Sequence, residues 1–95
     1  MTPRLADPEP PTWKGVWIAI PAYNEEQTVR ALAEAALRLC SRVMVVDDGS
    51  TDATAVRLDG LPLTLLRHGA NRGKAASLRT AFSHALAQRA RDDRR

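Results

Sequence analysis

Ninety-five residues allow one small domain, and an apolar share of 44% with only 4% aromatic content makes its core aliphatic. The net charge of +3 is mild and owes much to Arg89, Arg91, Arg94 and Arg95, which no aromatic residue interleaves, so nucleic acid is set aside as a partner. A lone cysteine, Cys40, excludes a disulfide framework within the chain, and no run approaches the roughly 18 apolar residues of a membrane helix, which makes the cytoplasm the expected location.

Residues 1–14 carry Pro3, Pro8, Pro10 and Pro11 among charges, a composition expected to form a flexible arm. From residue 15 to 95 the chain reads as one α/β unit. Val16–Ile20 is a short apolar run that predicts a first strand, stopped by Pro21 because proline cannot donate to a ladder. After it, Asn24 with Gln27 three residues later predicts an N-cap, and Glu25 and Glu26 suit the first turn of a helix. Val29, Leu32, Ala33, Ala36, Leu37 and Cys40 then recur at the helical period, with Arg30, Glu34 and Arg38 on the opposite side. Cys40 on that stripe reads as a buried small hydrophobe.

Val43-Met44-Val45-Val46 runs without alternation into Asp47-Asp48-Gly49-Ser50-Thr51-Asp52. Such a run suits a strand covered on both faces, and its C-terminal end is where open α/β sheets bind ligands. Successive strand residues face opposite sides, so Asp47 and Asp48 cannot act as one pair. Asp48 is read as the ligand-side acid and Asp47 as the one that ties loops together. Gly49 permits a sharp exit, Ser50 or Thr51 is expected to cap a short helix near Ala53–Leu58, and Asp52 is expected in its first turn. Asp59-Gly60-Leu61-Pro62 breaks the chain before a third strand at Leu63–Leu66. Arg67 to Lys74 forms a loop in which Asn71 is expected to make a cap or a loop bond, with Arg72 and Lys74 either near phosphate or in water. Ala75, Leu78, Ala81, Phe82, Ala85 and Leu86 mark a last amphipathic helix that fades into the arginine-rich end. His68 and His84 have no companions at metal-ligand spacing. The alternation predicts a three-layer α/β/α, Rossmann-like fold with a parallel sheet ordered 3-2-1.

Pro21-Ala22-Tyr23-Asn24-Glu25-Glu26, then Val45 to Asp52 about twenty-five residues on, then Asn71-Arg72-Gly73-Lys74, together resemble the N-terminal part of glycosyltransferase family 2 over roughly Val16 to Ala87. The dolichyl-phosphate mannosyltransferase-like and polyprenyl-linked branches look nearest. The resemblance implies a GT-A fold, here truncated, whose N-terminal half holds the nucleotide of a UDP- or GDP-sugar for transfer to a lipid-phosphate or glycan acceptor. It also implies that Pro21, Tyr23, Glu25, Val46 and Asp48 line the base and ribose pocket. Physical chemistry agrees for two of them: Tyr23 offers a ring face to a base, and Asp48 can accept from base or ribose donors. The alternatives are that Tyr23 only covers the helix start and that Glu25 only complements its dipole.

The family's metal-binding D-x-D and its general base lie beyond the matching region. Asp92-Asp93 follows no strand and is not D-x-D. Catalytic and metal-binding residues are therefore assigned to none of these positions, and no cofactor is expected on this chain alone, although Mg2+ or Mn2+ is expected in the full-length family. The expected activity is glycosyl transfer by a longer protein, membrane-associated if its acceptor is a lipid, with this chain inactive alone. The alternative is a non-catalytic module that binds a nucleotide sugar or a partner. A P-loop is excluded because Gly69 and Gly73 enclose three residues rather than four and Ala75 stands where Ser or Thr is needed. A dinucleotide fingerprint is excluded because Pro21 to Glu26 contains no glycine.

Overall fold

The computed structural model describes residues 15–93, so the arm expected at 1–14 lies outside the described residues. Three strands, β1 (Ile18–Ala22), β2 (Val43–Asp48) and β3 (Thr64–His68), form a parallel sheet in the order β1-β2-β3. Helices α1 (Val29–Leu39) and α2 (Lys74–Asp93) follow β1 and β3, and a single 3₁₀ turn at Val56–Leu58 follows β2. The layering and strand order match the sequence-based expectation.

β2 is central because its side chains are buried on both faces along its whole length, as its unalternating sequence requires. Its odd residues face one core with α1: Val43 and Val45 pack with Ile20, Val29, Ala33, Ala36 and Leu58. Its even residues face the other: Met44 and Val46 pack with Ala81 of α2, flanked by Trp17, Ala19, Leu66 and Ala85. Cys40 is buried at the end of α1, its thiol donating to the Val16 carbonyl at 3.3 Å, in keeping with a small core residue.

Three local expectations are corrected. Pro21 does not stop β1 but lies within it, paired in register with Val46. The Ile18 N–H donates across to the Arg42 carbonyl, so by alternation the nitrogen of Pro21 faces away from β2, where no ladder bond is lost. Asn24 does not cap α1. It adopts a left-handed conformation, φ 52°, and α1 begins four residues after Glu25, with Thr28 at the cap position and no side-chain cap bond. No α-helix follows β2, so Ser50, Thr51 and Asp52 cap none and serve the loops instead.

The helical stripes are also narrower than their periodicity predicts. Leu32 is 53% exposed on α1, and on α2 Leu78, Phe82 and Leu86 are all exposed. α2 packs on β2 and β1 through its small residues, and the larger ones overhang the open side of β1. There Leu78 and Phe82 line an apolar groove of about 580 Å³ with Trp17, Ala19 and Met44.

Candidate functional site

Parallel strands bring the loops that follow them to one edge of the sheet, and the polar residues of this chain gather there. Asp47 and Asp48 point to opposite faces, as successive strand residues must. Asp47, fully buried, accepts from the Ser50 amide at 3.1 Å and from Arg67 Nε at 3.2 Å, the loop-tying role read for it. Asp48 turns toward α2. Its Oδ1 accepts from the Arg72 amide at 2.9 Å and pairs at 2.7 Å with Nδ1 of His68; its Oδ2 accepts from the Gly73 amide at 2.8 Å and from Asn71 Nδ2 at 3.0 Å. Four partners occupy the roughly four acceptor positions of a carboxylate. The His68 bond foremost, opposed by burial and aided by the Arg72 and Gly73 amides, holds this carboxyl below its ordinary range.

His68 is itself buried between Asp48 and the Thr80 hydroxyl, which sits 2.8 Å from its Nε2. It therefore joins the ends of β2 and β3 to α2. Asn71 makes a loop bond, but across the sheet edge rather than nearby: its Nδ2 donates to the carboxylate and the carbonyl of Asp48, 23 residues back. The sequence pattern contained no signal for the His68 contact, because its partners lie 20 and 12 residues away.

The loop after β1 is stitched to the loop after β2. The Asn24 amide donates to Ser50 Oγ at 2.9 Å, and Asn24 Oδ1 accepts from the Thr51 amide at 2.8 Å. The Glu25 amide donates to Thr54 Oγ1 at 2.8 Å, and Glu26 Oε1 accepts from the Ala53 amide at 3.0 Å. Asp52 completes the seam by accepting from the amides of Glu26 and Thr54 and from the Thr54 hydroxyl. Burial disfavours its charge, but these bonds outweigh burial and its carboxyl also titrates below the ordinary range.

Between this seam and the start of α2 lies a cleft of about 70 Å³. Four of the five residues expected to form a pocket line it: Pro21, Tyr23, Glu25 and Asp48. Tyr23 is 44% exposed where it lines the cleft. Val46, the fifth, does not line the cleft; its side chain is 1% exposed in the apolar core against α2, directly behind Asp48 on the same face. Ala22, Lys74 and Ser77 complete the lining. Lys74, for which the sequence allows either phosphate or water, lines this cleft. Ser77 was missed; the available signal was its place one helical turn beyond Lys74, on the same face of α2.

The family model for glycosyl transferase family 2 matches residues 17–88, which span every strand and both cleft-forming loops. The chain belongs to glycosyl transferase family 2. The match is to the family as a whole and selects no lipid-linked branch within it. No curated protein matches the chain. Among the described residues of this family 2 domain, no group of three or more His, Cys, Asp or Glu is placed to hold a metal ion. None of its described helices is long and apolar enough to cross a membrane.

Proposed function

We propose that the cleft at the carboxyl ends of β1 and β2 binds the nucleotide of a UDP- or GDP-sugar, the donor in glycosyl transfer to an acceptor. The observation that carries this reading is the convergence of Pro21, Tyr23, Glu25 and Asp48, from two separate loops, on one cleft at the sheet edge where such folds bind ligands. Family membership supplies the chemical class of donor. Tyr23 offers an exposed aromatic face for a base, and Glu25 offers a carboxylate to base or ribose donors. Asp48, held by His68, Asn71, Arg72 and Gly73, fixes part of the lining, and Val46 fills the space behind it.

The reading concerns binding of the donor nucleotide; the transfer step calls in addition for a metal-ligating set and an acceptor base, roles to which no residue of this chain is assigned. Calorimetric titration of the folded chain tests the proposal. UDP or GDP is expected to bind with a Kd on the order of micromolar to millimolar, without dependence on Mg2+ or Mn2+. Tyr23→Ala, which removes an exposed ring and leaves the core untouched, is expected to weaken binding about tenfold with an unchanged melting temperature. Equal binding by wild type and Tyr23→Ala would refute the pocket. Metal-dependent sugar release by the chain alone would show that the transfer machinery is present after all.

A further inference from the structure

Among the described residues, the Ser77 hydroxyl stands out as a buried side-chain oxygen with no hydrogen-bond partner. The residue is 1% exposed and lines the cleft. A hydroxyl withdrawn from water without a partner is destabilising, and alanine would suit the same helical position better on both counts. Such a group in the free protein is what a contact awaiting an outside partner looks like.

The other lining groups define that partner. Lys74 precedes Ser77 by one turn of α2 and adds a second donor. Two carboxylates in different states also line the cleft. Asp48 already accepts two bonds at each oxygen, whereas among the described residues the Glu25 carboxylate accepts a single long one, 3.4 Å, from the Thr28 hydroxyl. The free chemistry of the lining is therefore one acceptor at Glu25 together with donors at Ser77 and Lys74. Two carboxylates against one ammonium disfavour an anionic group, so a phosphate is a poor occupant. A neutral edge with an N–H beside a carbonyl satisfies both kinds of group. The volume of about 70 Å³ suits one six-membered ring better than a fused bicycle.

We propose that Ser77 is a specificity-determining contact of this cleft, its hydroxyl donating to a carbonyl of a single-ring base of the uracil type while Glu25 accepts the neighbouring base N–H. The inference rests on the reading of the cleft as a nucleotide site. The test is calorimetric titration of wild type and Ser77→Ala with UDP and with GDP, alongside thermal melts without ligand. Wild type is expected to bind UDP at least tenfold more tightly than GDP. Ser77→Ala is expected to lose about tenfold in UDP affinity while melting higher than wild type, since the unpaired hydroxyl is gone. A merely structural serine cannot move the two readouts in opposite directions. Unchanged UDP affinity in Ser77→Ala overturns the contact, an unchanged melting temperature overturns the unpaired hydroxyl on which it stands, and equal UDP and GDP affinity in wild type overturns the single-ring assignment. Failure of wild type to bind either nucleotide refutes the nucleotide site itself, and this inference with it.

Discussion

Gly49 lies at φ +76°, where a side chain is strained, and a Cβ built there would stand 2.4 Å from the backbone of Ala70 and Asn71. Both constraints come from one contact, the close passage of the loop after β2 beneath the loop after β3. Gly49→Ala is expected to cost about 2 kcal/mol or more, roughly 10 °C in melting temperature for a domain of this size, as read by thermal denaturation. Gly60, also at positive φ but with nothing near its absent Cβ, provides the control that isolates the close approach from the dihedral strain. Asp48 and Asp52 set the pH response. Both carboxyls titrate below their ordinary value in the folded chain, so the unfolded chain takes up protons first as pH falls. Their contribution is fully present above about pH 4 and is lost as pH drops through the lower folded values. Asp52→Asn is expected to flatten the acid limb of a plot of stability against pH, and an acid limb identical to wild type would show that Asp52 does not contribute to it.

At the scale of elements, the sequence was most legible where one strand decides its own surroundings. The unbroken Val43–Val46 run could only be central, and its register places Asp47 and Asp48 on opposite faces as alternation demands. It was least legible where a residue's partner lies far along the chain. Asn24 with Gln27 has the spacing of a capping box, but the side chain of Asn24 meets Thr51, 27 residues on, and the backbone turns left-handed to reach it. The stripes of α1 and α2 were legible in direction but not in width, because the period does not say where the sheet ends beneath a helix. On α1 the covered centre is Ala33, fully buried, and Leu32 lies outside it. Ala33→Leu is expected to cost about 1–3 kcal/mol through overpacking against β1 and β2, while Leu32→Ala stays within about 0.5 kcal/mol; chemical denaturation of the two variants checks both.

For the molecule as a whole, the unbalanced side is that of β1. Its outer edge is unpaired among the described residues, and the apolar groove beside it is flanked by Phe82 at 71% exposure. Trp17 closes one end of that side, its ring edge-on to His84 and its face beneath the Arg42 guanidinium, 5.6 Å from the ring centre. An unpaired edge beside exposed apolar surface favours association between chains. Sedimentation velocity is expected to show the average mass rising with concentration, and Phe82→Glu is expected to reduce that rise while leaving the circular dichroism of the fold intact. A single monomeric species at all concentrations would show that the groove and edge are not adhesive.

The seam between the loops also bears on the order in which the chain acquires its shape. The bonds that build the cleft connect residues 26 and 29 positions apart between the first two loops, and 24 and 25 apart between Asp48 and the start of α2. None can form while its strand pair is separated, and each requires a sizeable loop to close first. The cleft is therefore a late product of the folding reaction, absent from any partly folded species that lacks the third strand. Its amides at Thr51, Arg72 and Gly73 should then exchange with solvent only when the sheet itself comes apart, so that the capacity to bind appears and disappears together with the fold.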